Sequence, residues 1–167
     1  MNTATQLISR FSLLPHPEGG WYKETYRSTE GIPHRGLPIR FNGDRHFSTA
    51  IYFLLEKGTF SAFHKIKSDE CWHFYAGQSL EIFVLDKEGE LVIVKLGNDI
   101  TNGEVFQYVV PANTWFASRP SSVAEYAFVG CTVSPGFDFA DFELAESSTL
   151  SNEFPQHTHL IKELCRL

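Results

Sequence analysis

The sequence has little of what marks secreted or membrane proteins. Its three cysteines, Cys71, Cys131 and Cys165, are odd in number and far apart, which favours free thiols in a reducing compartment over a disulfide framework. No run of about 18 apolar residues is present to span a membrane. The first stretch, MNTATQLISRFSLLPHPEGG, has no basic start followed by a long apolar core, so we expect no signal peptide and a cytoplasmic protein.

Positive charge is also scarce. The chain has 14 Lys and Arg against 20 Asp and Glu, a net charge of −6. Because nucleic acids and anionic membranes are bound through basic surfaces, neither is an expected partner. The sequence also lacks a phosphate-binding Gly-rich loop with Lys, a dinucleotide fingerprint, a serine elbow and a Cys-x-x-Cys pair. The partner that remains expected is a small molecule.

Aromatic residues, in contrast, are abundant at 14% of the chain, and they include 15 phenylalanines. Such residues pack well on pleated sheets and favour β-structure. Short alternating runs separated by Gly, Pro, Asn or Asp predict nine or ten strands in series. These strands are predicted at 21–28, 47–55, 59–66, 70–75, 79–86, 91–97, 104–111, 114–119, 125–133 and 137–144. This pattern is typical of an all-β antiparallel sandwich or barrel.

The two ends of the chain differ from this pattern. Residues 3–14 and 154–167 have apolar side chains at helical spacing and predict short helices. Residues 29–45, with their Gly and Pro interruptions, are predicted to be mainly loop. Because the sequence shows no repeat or linker, we expect one domain over 1–167.

The most specific pattern lies in GTFSAFHKIKSDECWHFYAG, Gly58 to Gly77. Five residues separate Gly58 from His64, one separates His64 from Ile66, three separate Ile66 from Glu70, and six separate Glu70 from Gly77. This spacing resembles the first signature of the cupin superfamily: Gly, five residues, His, one, His, three or four, Glu, six, Gly. Ile66 replaces the second histidine of that signature. Because side chains alternate along a strand, the two histidine positions face the same side, into the barrel.

The rest of the chain extends the resemblance. Aligned on Pro111, the second cupin signature has Phe116 in the place of its histidine, so two of the four metal-ligand positions are apolar. The segments LLPHPEGGWYKETYRS, STAIYFLL, VVPANTW and FDFADFELA are similar to a cupin subgroup of unknown function that is predicted to contain sugar epimerases. The resemblance implies a cupin-type antiparallel β-barrel, or jelly roll, with short N- and C-terminal helices, and a homodimer.

The resemblance to deoxysugar epimerases also implies roles for residues. His64 would be the base that removes a proton next to a carbonyl group, and Glu70 would orient it. A tyrosine such as Tyr52 or Tyr75 would act as the acid. His73 is left open, because plain alternation from Glu70 places it on the opposite face, whereas a β-bulge would turn it inward.

Other residues are candidates for ligand binding. Alternation along 21–28 places Lys23 and Arg27 together on one face, where either offers a cation to a phosphate or carboxylate; the alternative is a charged edge strand that resists aggregation. Trp72 and Trp115 are either core residues or platforms for a sugar or nucleoside ring. Phe116, at the missing ligand position, would be part of the same pocket.

Three functions remain open from the sequence. The first is an epimerase or isomerase of a sugar or sugar nucleotide, working without tightly bound metal. The second is a non-catalytic protein that binds a small molecule in the same pocket. The third is a metal-dependent cupin enzyme with His64, Glu70 and His73 as ligands. We expect no cofactor, and a weakly held divalent metal is the alternative.

Overall fold

Antiparallel sheets are the main regular secondary structure of this computed structural model, which describes residues 3–166. The helices are α1 (Ala4–Phe11), α2 (Ser147–Glu153) and α3 (Thr158–Glu163). The strands are β1 (Leu14–Pro15), β2 (Trp21–Arg27), β3 (Gly31–Ile32), β4 (Arg45–His46), β5 (Thr49–Glu56), β6 (Ser61–Lys65), β7 (Asp69–Gly77), β8 (Leu80–Leu85), β9 (Leu91–Leu96), β10 (Gln107–Val110), β11 (Trp115–Pro120), β12 (Tyr126–Ser134) and β13 (Glu143–Leu144).

The strands form two large sheets. One has six strands in the order β1-β2-β5-β12-β7-β10, and the other has five in the order β13-β6-β11-β8-β9. The short strands β3 and β4 pair separately. The predicted all-β antiparallel fold with terminal helices is therefore confirmed. Over residues 3–166, the hydrogen-bonded strands remain separate sheets rather than one closed barrel.

The main core lies between the two large sheets. Phe53 and Trp72 contribute from the six-stranded sheet, and Leu80, Ile82 and Phe116 contribute from the other. All five are at most 1% exposed. Because alternate residues of a strand face the same side, each strand supplies its inward set to this core. Burial of each large side chain stabilises the fold by about 2–3 kcal/mol.

Helices cover the outer faces of both sheets. Leu7 of α1 packs on Leu54 and Phe128 of the six-stranded sheet. Leu150 of α2 and Ile161 of α3 pack on the five-stranded sheet. None of the helices within residues 3–166 is long and apolar enough to cross a membrane.

Two predicted elements differ from the structure. The predicted strand at 137–144 is interrupted by a 3₁₀ turn, Phe139–Asp141, because the Asp138 carboxylate accepts a hydrogen bond from the Ala140 N–H and caps it. Within 137–144, β13 is the part that pairs as a strand, with β6. The predicted helix at 154–167 begins with a 3₁₀ turn at Pro155 and becomes helical only in α3, since proline has no N–H for a preceding helical turn. Its last residue, 167, lies outside the described residues, and α2 was not predicted.

Candidate functional site

A cavity of about 640 Å³ opens beside the core, between the two sheets. Four titratable side chains, His16, Glu18, His64 and Glu70, form part of its wall. His64, Glu18 and Glu70 are 2%, 6% and 8% exposed. Buried ionisable groups of this kind, at the wall of a cavity, mark a candidate functional site.

His64 is held through both ring nitrogens. It lies on β6, and its Nδ1 is 2.7 Å from the backbone oxygen of Ala62. Because a carbonyl oxygen can only accept, this contact assigns a proton to Nδ1. The other nitrogen, Nε2, is 3.1 Å from Oε2 of Glu18. That contact needs one proton between the two atoms, either on the imidazole ring or on the carboxyl group, so His64 and Glu18 form a proton-sharing pair.

Glu18 reaches the cavity from a tight turn, not from a strand. The following residue, Gly19, has a φ of +115°, and a Cβ there would overlap the backbone oxygen of Phe60. Ser61 donates a hydrogen bond of 2.8 Å to Glu18 Oε1, and Arg166 donates one of 3.0 Å to the Glu18 backbone oxygen. The sequence analysis did not single out Glu18, and a glutamate followed by two glycines was the one available signal.

Glu70 is the second buried carboxyl group of the cavity. Its pKa is raised from the ordinary 4.5 to about 7, chiefly by burial, with His64 opposing the shift and the Glu18 carboxylate adding to it. The Cys131 thiol donates a hydrogen bond to the Glu70 carboxylate, which lowers the pKa of Glu70 and partly offsets the effect of burial. The Trp72 indole N–H is close enough to lower the pKa of Glu70, but it lies outside regular hydrogen-bond geometry. Glu70 can therefore hold or release a proton near neutral pH.

Burial shifts the other three groups toward their uncharged forms. It raises the pKa of Glu18 and lowers the pKa values of His64 and His16. His16 Nδ1 lies 3.6 Å from Glu18 Oε2, and its ring meets the Tyr22 ring edge-on at 4.6 Å between centroids. The wall therefore holds two carboxyl groups and two imidazoles, and burial favours the uncharged form of all four groups.

A β-bulge changes the face that Arg27 occupies. In the pairing of β2 with β5, Glu24 lies opposite Ile51 and Tyr26 lies opposite Ala50. The residue between them, Thr25, is therefore the extra one, and the alternation reverses after it. As a result Arg27 shares the cavity wall with Tyr22 and Glu24, whereas the sequence placed it on the face of Lys23. Lys23 is exposed and lies outside the cavity lining.

Three of the predicted catalytic residues lie on the outer face of the six-stranded sheet. His73 Nε2 contacts Thr132 Oγ1 at 3.1 Å, and its ring stacks on that of Tyr75. Tyr75 is half exposed, and Tyr52 packs on Phe128 under α1. The structure therefore does not bring these residues to His64 and Glu70, which do share the cavity as expected. The alternation that placed His73 opposite Glu70 describes the strand correctly.

The aromatic candidates belong to packing layers. Trp72 and Phe116 lie in the core between the sheets, and the Phe116 ring contacts the His64 ring at 4.2 Å between centroids. Trp115 packs in the layer under α2 and α3, with Lys65 Nζ 4.1 Å from its ring centroid. None of these three rings lines the cavity. The lining rings that sequence reasoning missed are Tyr22, Phe53, Phe137, Phe139 and Phe142.

The arrangement of donors does not match the metal site considered for this chain. Within residues 3–166, no group of three or more His, Cys, Asp or Glu side chains is placed to hold a metal ion. His73 is separated from His64 and Glu70 by the backbone of the sheet.

The two antiparallel sheets, with His64 and Glu70 of the first cupin signature in the cavity between them, fit a cupin-type domain. The chain belongs to the family described as "Cupin superfamily (DUF985)", whose model matches residues 5–145. It is 34% identical to the uncharacterized protein YML079W of Saccharomyces cerevisiae over 145 residues, 81% of this chain and 72% of that protein. The predicted membership of the cupin superfamily is confirmed.

Solved structures agree with this assignment. A hypothetical protein from Leishmania major has a TM-score of 0.88 and 35% identity, covering 99% of this chain and 100% of its own. Protein SO0799 from Shewanella oneidensis has a TM-score of 0.88 and 40% identity, covering 99% of both chains. Oxalate decarboxylase from Bacillus subtilis, at a TM-score of 0.54 and 17% identity, covers 90% of this chain and 36% of its own, and this shows the fold alone.

Proposed function

We propose that the chain is an enzyme that moves a proton on a carbon atom next to a carbonyl group, as an epimerase or isomerase of a small sugar does. The observation that carries the proposal is the contact of 3.1 Å between His64 Nε2 and Glu18 Oε2 in the wall of a cavity that also contains Glu70. The proton-sharing pair can act as the acid and the separate carboxyl group as the base in general acid–base catalysis on a carbonyl compound.

The roles differ from those expected from the sequence. Both nitrogens of His64 are already engaged, so Glu70 is the more available base, with a pKa of about 7. Its carboxylate takes the proton from carbon, and the C–H electrons form the C=C bond of an enol. The carbonyl oxygen receives the proton shared by His64 and Glu18. Delivery of a proton to the opposite face of the same carbon, with the enol proton returned to the His64–Glu18 pair, completes an epimerisation. Delivery of the proton to the former carbonyl carbon, with the neighbouring hydroxyl proton passed to the pair, completes an isomerisation, so no other reactant is needed.

The protonation states set the pH dependence of this chemistry. Glu70 must be ionised to act as the base, and burial places its pKa at about 7. We therefore expect the rate of proton exchange to rise as the pH increases through about 7. The rise should end where the His64–Glu18 pair loses its shared proton.

The experiment is hydrogen–deuterium exchange at the carbon next to the carbonyl of D-glucose and D-fructose, followed by proton NMR in deuterated buffer. Glu70→Gln and His64→Gln should each lower the exchange rate by roughly 100-fold or more. His73→Gln, a substitution of the same kind on the outer face, should leave the rate unchanged. Exchange that survives Glu70→Gln would overturn the assigned base.

A separate outcome distinguishes the non-catalytic alternative. Binding of a sugar without any exchange would overturn the enzymatic proposal and leave a small-molecule-binding cupin. Binding is measured by calorimetry on the same unmodified protein, so the binding result does not depend on the exchange result.

A further inference from the structure

Carboxyl groups outnumber guanidinium groups in the lining of the cavity. Four carboxyl groups are present, from Glu18, Glu24, Glu70 and Asp138, against one guanidinium group, Arg27. Glu24 and Asp138 are exposed at the opening, whereas Glu18 and Glu70 are buried. An anionic ligand would therefore meet the Glu24 and Asp138 carboxylates at the opening, and the Glu70 carboxylate as well once it is ionised.

Arg27 is not free to offset that potential. Its Nε and Nη2 atoms donate to the two carboxylate oxygens of Glu24 at 3.0 and 2.7 Å, and Nη1 donates to the Phe137 backbone oxygen at 3.1 Å. A phosphate is usually bound by both parallel N–H groups of an arginine, and that edge is occupied here. Three of the five N–H groups of Arg27 are therefore engaged, and its Nε–Nη2 edge is not open to the phosphate that the sequence suggested.

Aromatic rings form the wall next to these carboxylates. Phe139 lies with its centroid 5.0 Å from that of Phe137 and 6.1 Å from that of Phe142. The faces of aromatic rings attract cations, and the attraction grows when the cation is shielded from water. Rings and carboxylates together are the surroundings in which a protonated amine is stabilised.

Repulsion between the two buried carboxyl groups also favours a positively charged ligand over an anion. Glu18 and Glu70 repel each other when both are ionised, which contributes to the raised pKa of Glu70. A positive charge placed between them removes this repulsion, whereas an anion increases it. Resting on the proposed function of the same cavity, we infer that its ligand is a small polar molecule with a protonated nitrogen, such as an amino sugar, and not a phosphorylated sugar or sugar nucleotide.

The test compares three probes of similar size by calorimetry: D-glucosamine, D-glucose and D-glucose 6-phosphate. Glucosamine should bind about tenfold more tightly than glucose, the effect expected of one partly shielded cation on aromatic rings and carboxylates. Glucose 6-phosphate should bind more weakly than glucose. Equal affinity for the three probes, or tightest binding of the phosphate, overturns the inference.

A substitution at the opening of the cavity provides an independent test of the ligand preference. Glu24→Gln removes one carboxylate and frees the Nε and Nη2 edge of Arg27, so the preference should move toward glucose 6-phosphate. Glu125→Gln removes the same charge on a side chain that is 72% exposed in its surface pair with Lys57, and it should leave all three affinities unchanged. An unchanged preference in Glu24→Gln contradicts the assigned role of Arg27.

Two further results separate this inference from the proposed function. Tight glucosamine binding without isotope exchange supports the amine-binding cavity and overturns the enzymatic proposal. Isotope exchange on neutral sugars, without a preference for the amine, supports the enzymatic proposal and overturns the amine-binding cavity. If no sugar binds, tetramethylammonium should still shift the NMR signals of the lining rings, and its failure to do so overturns the inference.

Discussion

Replacement of Glu70 by Gln is expected to change how the stability of the protein depends on pH. Folding raises the pKa of Glu70 from 4.5 to about 7, chiefly through burial. The folded protein therefore keeps a proton that the unfolded chain loses between these two values. Because the folded state binds more protons in this range, the free energy of unfolding falls as the pH rises from about 4.5 to about 7, and this contribution is constant above the range.

The size of the effect follows from the same pKa values. Each pKa unit corresponds to about 1.4 kcal/mol, so the change from 4.5 to about 7 amounts to roughly 3 kcal/mol for a side chain that is 8% exposed. Glutamine fills nearly the same volume and does not titrate. Relative to wild type, Glu70→Gln should therefore gain roughly 3 kcal/mol between low pH and about pH 8, whatever constant difference it has at low pH.

The assay is urea unfolding followed by tryptophan fluorescence, at several pH values from about 4.5 to 8, with the m-value compared at each pH. Glu125→Gln is the control, because this side chain is exposed and its profile should run parallel to that of wild type. If the profiles of Glu70→Gln and wild type also run parallel over this range, the assigned electrostatics of the cavity are wrong.

Three other predictions concern the buried Arg45–Asp141 ion pair, the turn at Gly19 and the assembly of the protein. Asp141→Asn leaves the buried guanidinium of Arg45 without the carboxylate that it contacts twice at 2.6 Å, and urea unfolding should show a loss of about 3 kcal/mol; a loss below about 1 kcal/mol would contradict this. Gly19→Ala adds a Cβ that overlaps the Phe60 backbone oxygen at a positive φ, and the same assay should show a loss of about 2–4 kcal/mol, whereas a stable variant would disprove the strain. Tyr75 is 50% exposed on the outer face of the six-stranded sheet, where we propose that a homodimer forms, so Tyr75→Lys should halve the mass found by light scattering; a monomeric wild type refutes the proposal.

The spacing around His64 shows which parts of the site a sequence pattern can predict. Alternation along the predicted strand placed His64 and Ile66 on one side, and both line the cavity. Glu70, six residues after His64, arrives at the same wall from the next strand, and His73 lies on the far side as alternation predicts. These positions were predictable because the two-residue period of a strand is a local property of the chain.

Other features of the site were not predictable in this way. The extra residue Thr25 in β2 reverses the faces of all later residues of that strand, and its place is set by the pairing with β5. Glu18 contacts His64 because a turn stabilised by Ser61 and Arg166 brings it there. These contacts join residues that are far apart in the sequence, so no local pattern encodes them.

The sequence by itself therefore determined the strand series, the cupin membership and one half of the site, His64 with Glu70. Only the tertiary structure decided that Glu18 shares the proton of His64, that Arg27 is already paired with Glu24 and that the expected tyrosines lie outside the cavity. The physical reason is the range of the interactions. Side-chain alternation acts within one strand, whereas pKa values, proton sharing and the open or occupied edge of a guanidinium depend on which distant segments fold against each other.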